Sequence, residues 1–198
     1  MRPEPGEVLH FSEDPNITRF IPHVAATARQ PEAYVWAVTA ERCADYWFPR
    51  QCPRAMAWTT PDSTHADRDR IIGPGCGERV HAIEYGWLEA FLTVRLYAYR
   101  FPAEKFVPFG EPVPNAVVAT EPVEPLGPPE PVGDLLRLHE AAGIQLRLLD
   151  DLWPFWDAVT TSSLGWSGIR LRNARPRRSQ PFVDRGDRTE SAGFAERP

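Results

Sequence analysis

The sequence predicts an α+β fold, a single domain with a mixed, mostly antiparallel sheet and a few irregularly inserted helices. Short apolar segments rich in β-forming residues recur along the chain, and only a few stretches have helical periodicity. These helical stretches do not alternate with the strands as they would in a βαβ repeat. With 198 residues, 42% of them hydrophobic, the chain is long enough to bury one core. We therefore predict one domain over residues 1–173.

The predicted strands are short segments bounded by turns or prolines. In chain order they cover residues 8–11, 34–39, 54–58, 79–84, 94–101, 115–120 and 144–149. In the segment 94–101 two kinds of side chain alternate, which is the period of a strand with two differently used faces. Asp14-Pro-Asn predicts a turn, and the polar residues from Thr59 to Gly77 predict a loop.

Two helices are predicted from their end signals. Thr39 suits the N-cap of a helix over residues 40–47. A second helix, over residues 132–142, lies between Pro131 and Gly143, and Gly143 supplies a left-handed residue at its end. The five prolines in 121–131 require an extended or turning backbone. Trp153, Phe155 and Trp156 are expected to cover an open end of the core, with a buried helix as the alternative.

Composition limits the classes of function. The net charge of −5 gives no reason to expect general attraction to nucleic acid or to an anionic membrane. No apolar run is long enough for a signal peptide or a membrane span. The three cysteines lack Cys-x-x-Cys spacing, which favours reduced thiols in a cytoplasmic protein. Residues 174–198 have few apolar side chains and predict a disordered polar tail.

Several familiar site signatures are incomplete in this chain. Gly73-Pro-Gly-Cys-Gly77 lacks the spacing and the lysine of a phosphate loop, and Gly165-Trp-Ser-Gly168 has its second glycine one place too early for a nucleophile elbow. The histidines show no spacing typical of metal ligands, so no metal site is predicted. The basic run from Arg170 to Arg178 predicts either a solvated edge or a contact with a phosphate backbone, and the acidic remainder of the chain favours the solvated edge.

The amino-terminal region carries the strongest functional signal. His10 lies near the end of the first predicted strand and Ser12 directly follows it. Trp36 lies in the second strand, and Tyr46 lies in the following helix. Because the ends of neighbouring strands meet at one edge of a sheet, we expect His10 and Ser12 at the mouth of a small-molecule pocket shared with Trp36 or Tyr46.

These residues lie within two resemblances. Over most of residues 8–174 the chain resembles a bacterial family of unknown function, through Leu9-His-Phe-Ser-Glu-Asp-Pro15, Tyr46-Trp-Phe-Pro-Arg-Gln-Cys-Pro-Arg54, Pro131-Val-Gly-Asp134 and Ser167-Gly-Ile-Arg-Leu-Arg-Asn173. Over residues 9–46 alone it is distantly similar to the ADP-ribosyltransferase-like fold. In that fold one strand carries His-Gly-Ser or His-Gly-Thr, and a second strand reads Tyr-Ala-Thr before an alanine-rich helix that contains a tyrosine.

The second resemblance implies that the protein binds NAD as a substrate. His10 matches the histidine that hydrogen-bonds the nicotinamide ribose, and Ser12 matches the neighbouring hydroxyl. Trp36 falls where the strand tyrosine lies, and Tyr46 matches the aromatic residue of the helix. Glu121, after the strand 115–120, is the candidate for the carboxylate that stabilises the oxocarbenium ion.

The chain departs from this pattern at three points. Phe11 replaces the glycine, Trp36 replaces the tyrosine, and no Gln/Glu-x-Glu pair accompanies Glu121. The sequence therefore leaves two hypotheses: an ADP-ribosyltransferase-like protein that acts on NAD or a related nucleotide, and a non-catalytic interaction module with an unidentified partner. The first requires His10, Tyr46 and a carboxylate to lie in one cleft.

Overall fold

A computed structural model describes residues 1–24, 31–74, 77–110 and 114–177. Its strands are β1 (Glu7–Ser12), β2 (Val35–Ala37), β3 (Arg54–Trp58), β4 (Arg79–Glu84), β5 (Tyr97–Pro102), β6 (Val107–Phe109), β7 (Ala116–Ala119), β8 (Glu130–Pro131), β9 (Ile144–Leu149) and β10 (Gly165–Ile169). Its helices are α1 (His65–Asp67), α2 (Leu88–Thr93), α3 (Leu135–Ala141) and α4 (Trp153–Thr160). Short 3₁₀ turns cover Cys43–Tyr46, Tyr85–Trp87, Ala103–Lys105 and Leu171–Asn173, and a π-turn covers Arg68–Ile72.

The strands form two layers. In the first layer the sheet β8-β5-β1 is joined to the sheet β2-β7-β6 by a pair of backbone hydrogen bonds between Leu9 and Val38, of 3.0 and 2.8 Å. The second layer is the sheet β10-β3-β4-β9. Its β4–β9 pair is parallel, and the other strand pairs among the described residues are antiparallel. The predicted α+β class with a mixed, mostly antiparallel sheet is confirmed.

The alternation of side chains along the strands divides the core into three clusters. On β1, Leu9 belongs to a central cluster and Val8 to an outer one. On β4, Ile83 belongs to the same central cluster and Val80 to a third cluster, which α4 covers. Since successive residues of a strand point to opposite faces, the central cluster lies between the two layers. A polar side chain on that face of β4, such as His81, therefore points into the protein.

Several sequence predictions are confirmed closely. Strands β3, β4 and β9 have the predicted bounds, and β1, β2 and β7 lie within two residues of theirs. Gly143 follows α3 and has a φ of +65°, a left-handed conformation that residues with a side chain rarely adopt. The predicted turn at residues 14–16 is present, because the Asn16 N–H donates to the Asp14 carboxylate at 2.9 Å.

The predicted helix over residues 40–47 is wrong, since only the 3₁₀ turn Cys43–Tyr46 forms. Trp47 and Phe48 are adjacent in sequence and both fully buried in the central cluster. An α-helix points neighbouring side chains about 100° apart, so it does not place two such bulky residues in one core. The segment is also too short before Pro49 to nucleate a stable α-helix.

Other helices and strands begin at residues different from those predicted, and the reasons are local. The helix predicted over 132–142 begins only at Leu135, because Gly133 has a φ of +87° and Asp134 is the N-cap, accepting from the N–H groups of Leu136 and Arg137. The strand predicted over 94–101 begins at Tyr97, after the unpredicted helix α2. Trp153, Phe155 and Trp156 lie in the helix α4, and a helix at this place was the alternative prediction.

The predicted loop 59–77 is not wholly irregular. It contains α1 and the π-turn, which bury Ile71 and Ile72 in the third cluster. The Thr64 hydroxyl caps α1 by accepting from the Asp67 N–H at 3.2 Å.

The sequence analysis assigned residues 174–177 to the tail, but in the structure ion pairs hold them against the domain. Arg175 and Arg177 pair with Asp150 and Asp157 at 2.5 and 2.8 Å. Residues 178–198, which hold the rest of the predicted tail, lie outside the described residues. Among the helices that are described, none combines the length and the apolar character that crossing a membrane requires.

Candidate functional site

Three chain segments meet where the two layers join: the end of β1, the loop between the Cys43–Tyr46 turn and β3, and the end of β10. The Arg50 N–H donates to Glu13 Oε1 at 2.7 Å, which ties the loop to β1. The Asn173 side-chain amide donates to the Gln51 carbonyl at 2.8 Å, which ties the loop to the turn after β10. These segments hold three of the four motifs on which the family resemblance rests.

Tyr46 lies at the centre of this junction, above a buried arginine. The Arg54 guanidinium carbon is 5.6 Å from the centre of the Tyr46 ring and 5.0 Å from that of Phe48. Arg54 is only 3% exposed, and it donates to the main-chain carbonyls of Asp45 at 2.7 Å and Cys52 at 3.0 Å. Arg54 therefore fixes the loop that carries Tyr46.

Arg170 lies within electrostatic range of Tyr46 and of two further arginines. Burial lowers the pKa of Arg170, and the positive charges of Arg172 and Arg50 lower it further. A negative charge on Tyr46 would raise the pKa of Arg170, so Arg170 lies within electrostatic range of Tyr46 as well as of Arg172 and Arg50. We call the surface formed by Tyr46, Arg50, Arg170 and Arg172 the basic face. It concentrates positive charge on a protein whose net charge is −5.

A buried carboxylate, Asp45, lies beside the basic face. Its side chain is 0% exposed, receives a hydrogen bond from Arg79, and pairs with Arg42 at 3.0 Å. Both guanidinium groups also stack on the indole of Trp58, with their carbons 4.5 and 4.6 Å from its ring centre. Burial raises the pKa of Asp45 even though the arginines oppose this shift.

A chain of hydrogen bonds leads from Arg79 into the core. Arg79 Nε donates to His81 Nε2 at 2.9 Å, and His81 Nδ1 lies 3.1 Å from His139 Nε2. His139 Nδ1 lies 2.7 Å from the Leu135 carbonyl, which can only accept. His139 therefore carries its proton on Nδ1 and accepts on Nε2, and His81 must donate from Nδ1. Both imidazoles are neutral, and burial lowers the pKa of each, to about 4 for His139.

His10 contacts the main chain of β2 and an aromatic ring. Its Nδ1 lies 2.7 Å from the Trp36 carbonyl, and its ring packs against Phe20 at 4.9 Å. Because the carbonyl can only accept, His10 Nδ1 carries the proton and Nε2 is an acceptor. Burial is the main cause that lowers its pKa to about 4, and the charge of Arg50 contributes. At Nε2 a neutral His10 would thus accept a hydrogen bond from a donor such as a ribose hydroxyl.

The other residues predicted to contact NAD have different neighbours. Ser12 is 2% exposed, and its hydroxyl accepts from the Asp14 N–H at 3.1 Å. The Trp36 ring packs on Tyr34 and Phe109, whereas Tyr46 packs on the central cluster. Glu121 is exposed, just beyond the end of β7. Arg50 links His10 to the neighbourhood of Tyr46, because its charge lowers the pKa of His10 and also that of Arg170.

The sequence missed the buried polar residues. His81 lies 58 residues from His139, and Asp45 lies 34 residues from Arg79, so no local spacing signals these pairs. The position of His81 inside a strand of buried residues was the available signal, since such a histidine needs a polar partner. In the described part of the chain, His, Cys, Asp and Glu side chains form no group of three or more suited to a metal ion.

Cys43 and Cys52, the cysteines within the described residues, contribute no reactive thiolate to this junction. Cys43 and Cys52 are free and buried, and burial raises the pKa of each thiol to about 12. Both are therefore protonated near neutral pH. Cys76 lies outside the described residues.

Comparison with known proteins gives one match. A model of a family of unknown function, DUF6886, matches residues 9–174. The chain belongs to this family. No curated protein and no solved structure matches the chain, so the similarity to the ADP-ribosyltransferase-like fold has no support from a neighbour.

Proposed function

We propose that the basic face binds the phosphate groups of a nucleotide, and that NAD is the nucleotide to which the sequence points. The proposal is carried by the Tyr46 ring, which lies over the buried Arg54 guanidinium and within electrostatic range of Arg170, itself within range of Arg50 and Arg172. A phosphate group bound near several guanidinium groups is attracted by each of them. Arginine also matches the geometry of phosphate oxygens better than lysine does.

The surroundings of the basic face suit such a ligand. Arg54 lies beneath Tyr46 and adds a buried positive charge to the site. His10, on which Arg50 acts, offers a hydrogen-bond acceptor at Nε2. A sugar hydroxyl is a donor of the kind that this nitrogen would accept. The proposed ligand is therefore a phosphate-bearing nucleotide with a free ribose hydroxyl.

The binding test compares ligands that differ in phosphate. NAD and ADP-ribose should raise the Tm of the wild-type protein, because a ligand that binds only the folded state stabilises it. Nicotinamide riboside has no phosphate and should not raise it. Arg50→Gln should weaken NAD binding by about 10-fold, typical of one lost hydrogen bond to a charged group. Arg95→Gln, which removes an exposed arginine between α2 and β5, is the control and should bind normally.

A wild-type protein that binds none of these ligands would contradict the proposal. It would favour the alternative, a non-catalytic interaction module whose arginines contact a protein partner.

The reaction implied by the resemblance is transfer of ADP-ribose from NAD, and Glu121 is its candidate carboxylate. Glu121→Gln keeps the size of the side chain and removes its charge, so NAD binding should survive while turnover falls by about 10²-fold. Release of nicotinamide measures turnover, with water or an added protein as acceptor. Equal turnover in the two proteins would exclude Glu121, and an absence of nicotinamide release would leave a binding protein.

A further inference from the structure

We infer that Arg42, Arg79 and Trp58 form a second anion-binding site, which takes a doubly charged oxyanion such as a phosphate monoester. None of these three residues belongs to the basic face, so the inference goes beyond the proposed function. Trp58 ends β3, Arg79 begins β4, and Arg42 directly precedes the 3₁₀ turn Cys43–Tyr46. We call this group the Trp58 site.

Trp58 has a prepared place in the sheet. It lies opposite Arg79 in the β3–β4 ladder and opposite Gly165 in the β3–β10 ladder. Paired residues of an antiparallel ladder project their side chains to the same face, so the indole and the Arg79 side chain are neighbours. A Cβ added to Gly165 would lie 2.4 Å from the indole Nε1 and 2.6 Å from Cε2. Glycine at position 165 therefore leaves the space that the indole fills.

Two guanidinium groups are fixed on this indole. The guanidinium carbons of Arg42 and Arg79 lie 4.6 and 4.5 Å from its ring centre. Arg79 also donates to Asp45 and, at 2.9 Å, to His81. Arg42 pairs with Asp45 at 3.0 Å. Because these contacts already order both side chains, a ligand would bind them with little further loss of side-chain entropy.

Both arginines keep a donor group that is open to solvent. Asp45 contacts Nη2 of each arginine, and His81 accepts from Nε of Arg79. Within the described ranges neither Nη1 group donates a hydrogen bond, and neither is a buried atom without a partner, so both are accessible to solvent. The side chains of Arg42 and Arg79 are 15% and 18% exposed, whereas that of Asp45 is 0% exposed. A ligand can therefore approach the guanidinium groups from the side that Asp45 does not occupy.

The charges around Asp45 do not balance. Arg42, Arg79 and Arg54 all act on its carboxylate, and Arg54 also donates to its main-chain carbonyl at 2.7 Å. Three guanidinium groups and one carboxylate leave an excess of two positive charges. Among the described residues, Asp45 is the one carboxylate whose charge acts on Arg79. A doubly charged oxyanion would balance the excess, whereas a carboxylate would balance half of it. Arginine also matches the geometry of phosphate oxygens.

The test follows tryptophan fluorescence while inorganic phosphate is added at pH 7.5 and constant ionic strength. Phosphate carries nearly two negative charges at this pH, and the basic face contains no tryptophan. The wild type should show a saturable change, which Trp58→Phe should abolish. Arg42→Gln should raise the midpoint at least about 10-fold, typical of a lost hydrogen bond to a charged group. Arg50→Gln, on the basic face, and Arg95→Gln, at an exposed position, should keep the wild-type midpoint. Acetate should not saturate the site at the concentrations that suffice for phosphate.

Arg42→Gln also removes a partner of Asp45, so a second variant separates binding from folding. Arg42→Lys keeps the positive charge beside Asp45 but loses the forked donor group of arginine. It should remain folded, which thermal unfolding checks, and its midpoint for phosphate should rise as well. NAD binding should be the same in Arg42→Lys and in the wild type, because Arg42 is not part of the basic face.

The possible results separate this inference from the proposed function. Wild-type midpoints in both Arg42 variants, or a fluorescence change that survives in Trp58→Phe, would overturn the Trp58 site and leave the basic face intact. A heat of phosphate binding that Arg50→Gln abolishes, without a fluorescence change, would assign phosphate to the basic face alone. Saturation by acetate at the same concentrations would refute the preference for a doubly charged anion. A wild-type protein with neither a saturable fluorescence change nor a heat of phosphate binding would refute the Trp58 site outright.

Discussion

Asp45 is the buried anion around which the arginines of this domain are arranged. Its carboxylate contacts Arg79 and Arg42, and its main-chain carbonyl accepts from Arg54. Because burial raises its pKa in spite of these partners, desolvation outweighs the attraction of the arginines. A buried ion pair of this kind adds little to the free energy of unfolding compared with apolar side chains of the same shape. Removing one member, however, leaves the other as a buried charge without its partner.

The change Asp45→Asn should therefore destabilise the domain strongly. It removes the negative charge between Arg79 and Arg42, both largely withdrawn from water. The expected loss in the free energy of unfolding is about 3–5 kcal/mol, measured by urea denaturation. Asp157→Asn is the matched control. Asp157 pairs with Arg177, both side chains are more than half exposed, and its loss should cost less than about 1 kcal/mol. Similar losses in the two variants would show that burial does not distinguish the two pairs.

At the scale of elements, the two neutral histidines connect β4 to α3. His81 points from β4 into the central layer, and His139 comes from α3, the helix beside the parallel pair β4–β9. The Phe48 ring packs on both imidazoles, with ring centres 5.5 and 5.1 Å apart. A proton added to either ring would set two donors against each other, because Nε2 of His81 and Nε2 of His139 both act as acceptors. The link therefore depends on both rings staying neutral.

The stability of the domain should fall on mild acidification. The unfolded chain takes up protons on histidine near pH 6.5, whereas in the folded state burial lowers the pKa of His139 and His10 to about 4. The unfolded state therefore binds more protons as the pH drops from about 6.5 to about 4, and stability is lost in that window. Asp45, with its raised pKa, acts in the opposite direction. Urea midpoints at pH 7.5 and pH 5 measure the net effect, and the midpoint at pH 5 should be lower.

A histidine variant tests whether His139 contributes to this pH dependence of stability. His139→Gln should reduce the difference between the two midpoints, because it removes one of the groups that resist protonation. His65→Gln, at an exposed position at the start of α1, should leave the difference unchanged. Equal midpoints at the two pH values in the wild type would contradict the explanation.

At the scale of the whole molecule, local signals predicted the elements but not their contacts. The strands β3, β4 and β9 were predicted from composition, and the turn at Gly143 from the conformational freedom of glycine. The Asp45–Arg79 and His81–His139 pairs were not, since each depends on how the two layers pack. The predicted helix over residues 40–47 failed for the same reason, because the burial of both Trp47 and Phe48 outweighs helical propensity. The basic face joins two segments, residues 46–50 and 170–172, that are far apart in sequence. The sequence therefore showed the motifs but not that they meet.

Two truncations test where the folded domain ends. Deletion of residues 178–198 should change the Tm little, since Phe182, Val183 and Phe194 are too sparse to bury much surface. Deletion from residue 174 should lower it. That deletion removes the Arg175 N–H, which donates at 3.1 Å to both oxygens of the Glu84 carboxylate, and the Arg175 carbonyl, which accepts from Trp153 Nε1 at 2.6 Å.

Glu84 is only 2% exposed, so the longer deletion leaves a buried charge with fewer donors. The loss should be roughly 1–3 kcal/mol, or about 2–4 °C in Tm for each kcal/mol in a domain of this size. Calorimetry of both truncated proteins against the full chain measures it. If the shorter deletion lowers the Tm as much as the longer one, residues 178–198 contribute to stability themselves, and the domain does not end at residue 177.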